Sequence, residues 1–208
     1  MSLVHGEGVR TLEEHAEAPG RSLGWWGMIF FIASEALIFA NLIAAYLYLE
    51  IRNGTWQLPT DIVYPIINTF ILLGSSIPAR FAGAAILRGN QRNLKIGLSL
   101  TILMGLIFLG GQGYEYFGLF NNFGFTPQCT GCKSPVFGSA FFTLTGFHGL
   151  HVTVGLIFLL VVLLRALRGN FTAKKHFAVQ AAEMYWHFVD GVWVFVFSTV
   201  YLLPLIRG

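Results

Sequence analysis

Charge is what this sequence has least of: Asp, Glu, Lys and Arg together make up 11% of its 208 residues, where a soluble domain carries about a quarter. With 55% hydrophobic residues and a mean hydropathy of +0.65, the deficit excludes an ordinary soluble fold and points to lipid as the main solvent. Cysteine is nearly absent as well. Cys129 and Cys132, in Cys-Thr-Gly-Cys, are the only two, which excludes a disulfide framework. No second pair stands ready for a zinc site, and no His follows this one for covalent haem attachment. Whether the two are bridged or free stays open at this level. Residues 1–22 are polar, include Glu7, Glu13, Glu14 and Glu17, and lack the apolar core of a secretory leader. They read as a flexible tail preceding a single membrane domain over 23–208. A net charge of +3 is no argument for nucleic acid here, because the basic residues are distributed by membrane side, as shown below.

What is present is apolar sequence in long runs. Five segments, near 25–49, 62–87, 94–119, 136–167 and 177–206, each exceed the roughly 20 helical residues that cross a hydrocarbon core. The expected fold is an all-α integral membrane bundle of five transmembrane helices. Between them lie short connections with turn chemistry, such as Arg52-Asn53-Gly54, Arg88-Gly89-Asn90 and Arg168-Gly169-Asn170. Pro78 falls well inside the second segment and is expected to kink it. Small residues at four-residue spacing, Ala36, Ala40 and Ala44 on the first helix and Ser75, Ala79 and Gly83 on the second, read as seams where helices pack closely.

Basic residues resist translocation and so mark the cytoplasmic face. Of the 13 Lys and Arg, all but Arg52, Lys133 and Arg207 fall on the N-terminal tail, the second and fourth connections and the adjoining helix ends. The N-terminus is therefore expected in the cytoplasm and the C-terminus outside. Arg80, Arg88 and Arg165, on the basic side, are candidates for holding anionic lipid headgroups; each also has the plainer role of fixing topology.

Against this background the ionisable residues inside the spans stand out, since each costs at least ~2.5 kcal/mol to insert unless partnered. They are Glu35, Glu115, His148, His151, Glu183, His187 and Asp190, joined by Gln112. Glu183, His187 and Asp190 are spaced i, i+4 and i+7, which puts them on one face of the fifth helix with Trp186 and Trp193. His148 and His151, at i and i+3, share a face of the fourth. One reading is a buried interhelical hydrogen-bond network; the other is haem or metal ligation by His148, His151 or His187. A four-helix di-iron site uses Glu-x-x-His pairs, and the sequence contains none. For Glu35, isolated in an otherwise uncharged helix, a structural hydrogen bond and a proton relay are the rivals. A transporter is disfavoured by the lack of a broken-helix pair or inverted repeat.

Four stretches carry more than chemistry. Ser34-Glu35-Ala36-Leu37-Ile38-Phe39, Gly111-Gln112-Gly113-Tyr114-Glu115-Tyr116, Thr145-Gly146-Phe147-His148-Gly149-Leu150-His151-Val152 and Tyr185-Trp186-His187-Phe188-Val189-Asp190 together resemble subunit III of haem-copper terminal oxidases, in its short five-helix prokaryotic form. The resemblance implies an accessory subunit of a proton-pumping cytochrome c oxidase in a prokaryotic plasma membrane. It implies that the chain itself carries no haem or copper, those groups belonging to partner subunits. It implies packing on catalytic subunit I, with subunit II and small subunits in the same complex. It further implies bound phospholipid in a cleft, a path for oxygen through that lipid, and support of proton uptake. Quinol oxidases belong to the same family, and Glu35, often missing from their first-helix motif, favours cytochrome c as donor.

Overall fold

A backbone in hydrocarbon must satisfy its own hydrogen bonds, so each apolar run is obliged to coil. In a computed structural model, residues 23–54, 56, 62–123 and 135–207 are described, and their regular structure is entirely helical. Residues 1–22 and both cysteines lie outside these. The helices are α1 (Leu23–Asn53), α2 (Val63–Gly74), α3 (Ser76–Leu87), α4 (Gln91–Phe123), α5 (Pro135–Leu167) and α6 (Phe177–Phe197), followed by a π-helical turn (Ser198–Leu202) and α7 (Leu203–Arg207). Taken with their continuations they supply five helices long and apolar enough to cross a membrane.

Two prolines shape the spans, each upstream of its own position. The second span breaks at Ser75, three residues before Pro78, because the proline ring and missing N–H disrupt the turn below it. Ser75 repairs the break: its amide reaches the carbonyls of Ile71 and Leu72, and its hydroxyl donates to Leu72 O at 2.6 Å. Near the C-terminus, Pro204 cannot bond to Val200. There the helix widens into the π turn, and the Leu203 amide bonds to Ser198 O instead.

The two Arg-Gly-Asn connections end their helices in the same way. Gly89 (φ 72°) and Gly169 (φ 74°) take the left-handed conformation. Asn90 N then bonds to Ala85 O at 2.9 Å and Asn170 N to Arg165 O at 3.2 Å, the paired closure that a C-terminal glycine permits.

The core lies among α3, α4, α5 and α6. Among the described residues, helix α1 packs chiefly on α5 and α6, and 6% of its most apolar stretch is buried, against 50% for the last span. This corrects one expectation. Ser75 and Ala79 are buried and Gly83 sits under Glu183, as a seam requires, whereas Ala36, Ala40 and Ala44 are exposed and line an open groove. Their spacing was legible, but which way α1 turns its small face is set by where its larger residues Phe39 and Tyr46 go, and those enter the core.

Candidate functional site

The polar residues of the spans divide into separate sets, held by different helices. Between α1 and α5, Glu35 Oε2 lies 2.8 Å from His151 Nε2. The other ring nitrogen, Nδ1, is 2.8 Å from Phe147 O, so it must be the donor of that bond, a carbonyl having only lone pairs to offer. One proton is thus shared between Glu35 and Nε2, and the ring is fixed in place by Phe39 and Phe147, whose centroids lie 4.9 and 4.8 Å away.

His148, one turn earlier, has a different environment although it shares the helix face. It is 1% exposed, stacks on Trp193 at 4.8 Å, and meets the edges of Phe108 and Phe39. Neither ring nitrogen has a hydrogen-bond partner among the described residues.

Toward the end of the bundle away from the basic connections, Glu115 accepts from Gln112 Nε2 at 3.1 Å and from Tyr201 Oη at 3.0 Å. Tyr201 lies within the π turn, whose wider winding gives it a heading different from that of a regular α-helix. Beside them Tyr116 and Thr145 share a 2.6 Å hydrogen bond between α4 and α5.

The fourth set runs along α6 and α3. Arg80 Nε lies 3.8 Å from Glu183 Oε1, which lies 3.7 Å from His187 Nε2. His187 Nδ1 is 3.0 Å from Ser76 Oγ, and Ser76 donates to Asp190 Oδ2. Trp186 and Trp193 on the same helix donate to Ser75 Oγ at 2.8 Å and Thr69 Oγ1 at 2.9 Å. Of the three arginines proposed for lipid headgroups, Arg80 is engaged by Glu183, Arg165 sits 5.3 Å over the Phe171 ring, and Arg88 is exposed.

Reading residue types for charge missed the neutral partners: Thr69, Ser75, Ser76, Thr145 and Tyr201. A signal existed for some of them. Thr69 and Ser75 are six apart and their partners Trp193 and Trp186 seven, near-matched spacings that two antiparallel helices bring together. Among the described residues no three His, Cys, Asp or Glu side chains gather as metal ligands would.

An apolar groove of ≈ 590 Å³ opens between α1 and α6, floored by Ala36, Ala40, Ala44 and Gly191 and walled by Phe188 and Phe195. Alanines and aliphatic side chains of α1 face Gly191, Val192 and the two phenylalanine rings of α6 across it. It begins one residue from Glu35.

Comparison with known proteins places these features in a lineage. The family described as cytochrome c oxidase subunit III matches residues 7–204. The subunit 3 of Thermostichus vulcanus is 39% identical over 205 residues, covering 96% of both chains. That of Corynebacterium diphtheriae is 41% identical over 183 residues, 85% of this chain and 86% of the relative. That of Rattus norvegicus is 39% identical over 187 residues, 85% of this chain and 68% of the longer rat protein.

Proposed function

The chain belongs to the cytochrome c oxidase subunit III family, and from that premise we propose that it is an accessory subunit of a proton-pumping respiratory oxidase, carrying no redox centre of its own. As a subunit 3 it is a multi-pass membrane protein and part of a multi-subunit oxidoreductase complex. The observation that carries the finer reading is the way its ionisable groups meet. His151 spends both ring nitrogens on Phe147 and Glu35, and both oxygens of Glu115 accept hydrogen bonds. These groups tie helices together, leaving electron transfer to haem and copper in the partner subunits I and II.

In this reading subunit I docks on the bundle, and the plasma membrane of a prokaryote is its site, with the basic connections cytoplasmic. The groove between α1 and α6 takes phospholipid acyl chain, whose methylenes suit its alanine floor and phenylalanine walls, while Arg88 and its neighbours attract the headgroups. Oxygen is nonpolar and partitions into acyl chains, so ordered lipid beside the catalytic subunit raises its local supply without a ligand. The Arg80-to-Asp190 set, near the basic end, contributes to proton uptake from that side.

Purification in a mild detergent tests the assembly: a large haem-bearing chain is expected to accompany this one, and stoichiometric haem or iron on this chain alone would defeat the reading. Glu35→Gln tests the role of the α1–α5 bridge. Glutamine keeps a hydrogen bond to His151, so haem content is expected to stay normal and oxygen reduction to change no more than ~3-fold, a loss below 1 kcal/mol. Abolished turnover in a normally assembled complex would instead make Glu35 essential to the chemistry.

A further inference from the structure

We propose that Asp190 is a proton-exchange site of this chain, connected to the basic end of the bundle through Ser76, His187 and Glu183. The connection is a row of contacts on two helices. Glu183 stands six residues into α6 and Asp190 thirteen, depths of ~9 and ~20 Å at the helical rise. The side chains of Glu183 and Arg80 at the shallow end are 21% and 74% exposed, whereas Asp190 is 3% exposed. Its Oδ2 accepts from Ser76, and its Oδ1 has no hydrogen-bond partner among the described residues. A carboxyl so placed has one polar way out, through the serine.

Ser76 owns one proton and sits within hydrogen-bond reach of both Asp190 and His187 Nδ1. Its bonds therefore have two directions. With Asp190 ionised, Ser76 donates to Oδ2 and accepts from Nδ1–H. With Asp190 protonated, the acid donates to Ser76, which donates to a bare Nδ1. Passing from the second state to the first moves the Asp190 proton to Ser76 Oγ and the serine proton to Nδ1. The imidazolium so formed releases its Nε2 proton to an ionised Glu183. The net result is one proton carried from Asp190 to Glu183, with no charge left on the ring and its tautomer reversed. Return of the proton runs the same steps backwards.

The 3.7 Å separation of His187 Nε2 from Glu183 Oε1 exceeds a hydrogen bond and closes by a rotation of the glutamate side chain. Room for that carboxylate is made by Gly83: a Cβ there would collide with it. Four other carboxyl and imidazole groups inside the spans of the neighbouring helices are engaged or walled off. Glu35 and His151 bind each other, Glu115 is held by Gln112 and Tyr201, and His148 lies behind Trp193. Among the described residues, Arg80 is the cation that joins the row, at its open end.

The site deepens the proton-uptake role given above to the Arg80-to-Asp190 set and rests on that reading, but its test needs no turnover. Infrared spectroscopy of the purified assembly, as films perfused between ~pH 5 and ~pH 9 to span the carboxyl and imidazole ranges, is expected to show a carboxyl signal that Asp190→Asn removes. After a pH jump that signal should respond at least tenfold more slowly in Ser76→Ala and in His187→Phe, and at the native rate in Ser76→Thr, which keeps the hydroxyl. Gly83→Ala should slow it too, by pushing Glu183 out of line. An Asp190 signal that never changes over this range would overturn the proposal. So would one that responds equally fast without the serine hydroxyl or the imidazole. An unchanged haem spectrum in each variant identifies intact assembly, and whether haem accompanies the chain at all is decided separately by the purification above.

Discussion

Trp186→Ala is expected to cost the bundle about 3–5 kcal/mol, the range for emptying a buried tryptophan site. Total stabilities of ~5–15 kcal/mol make that a large fraction, and the variant should be recovered at low yield and lose its partners on mild heating. The indole is 0% exposed and lies where three helices converge. A Cβ at Gly105 on α4 would meet its Cη2 at 2.6 Å, and one at Gly155 on α5 would meet its Cε3 at 3.1 Å. Both glycines are thus cut to the shape of the ring. In lipid the loss is felt as missing packing, since there is no water to expel from between helices. Trp186→Phe should cost far less: it keeps most of the volume, and the hydrogen bond it forfeits is worth ~1 kcal/mol. Ser75 would not be orphaned, because its hydroxyl still donates to Leu72 O. Thermal unfolding of the detergent-solubilised assembly, followed by near-ultraviolet circular dichroism, measures both. Equal melting of the alanine variant and the native protein would show that the ring is not a keystone.

Gly97→Ala, the addition of one methyl group, should cost about 1–3 kcal/mol, the usual penalty for overpacking. The new Cβ would stand 2.8 Å from Pro78 O, 2.8 Å from Ala82 Cβ and 3.0 Å from Ala82 N. These are mostly backbone atoms, so no side chain can swing aside; α3 and α4 must separate, and the Ser75 break beside them shifts. Gly110→Ala on the same helix supplies the control. Nothing lies within 4 Å of its Cβ position, so only the propensity gain of ~0.5–1 kcal/mol remains. Opposite shifts in melting temperature for the two variants are the expected outcome. Shifts of the same sign would mean that the α3–α4 contact is looser than these distances state.

The π turn shows why some of the site could not be read directly. Tyr201 is an unexceptional residue near the end of an apolar span, and a regular helix drawn through Pro204 gives it a different heading. It sits inside the widened turn, and from there its hydroxyl reaches Glu115, 86 positions earlier in the chain. His148 and His151 make the same point from the other direction. Their spacing gave them a common face, yet one is bonded at both nitrogens and the other enclosed by aromatic rings, because a face ~100° wide meets more than one neighbour.

The five spans, the turns that end them and the inventory of polar residues inside them follow from the chain alone, because in hydrocarbon each segment must satisfy its backbone within itself and each polar side chain is costly enough to be conspicuous. The four stretches around Glu35, Gln112, His148 and His187 were also sufficient to indicate the family. Which groups meet was decided by tertiary packing. Glu35 finds His151 across 116 positions, and Ser76 joins His187 to Asp190 across more than 110. The alanine stripe of α1 becomes a groove because α1 has helices on one side only. Pairings of this kind depend on how each helix is rotated about its own axis, and that rotation is fixed by contacts between helices, which no single segment contains.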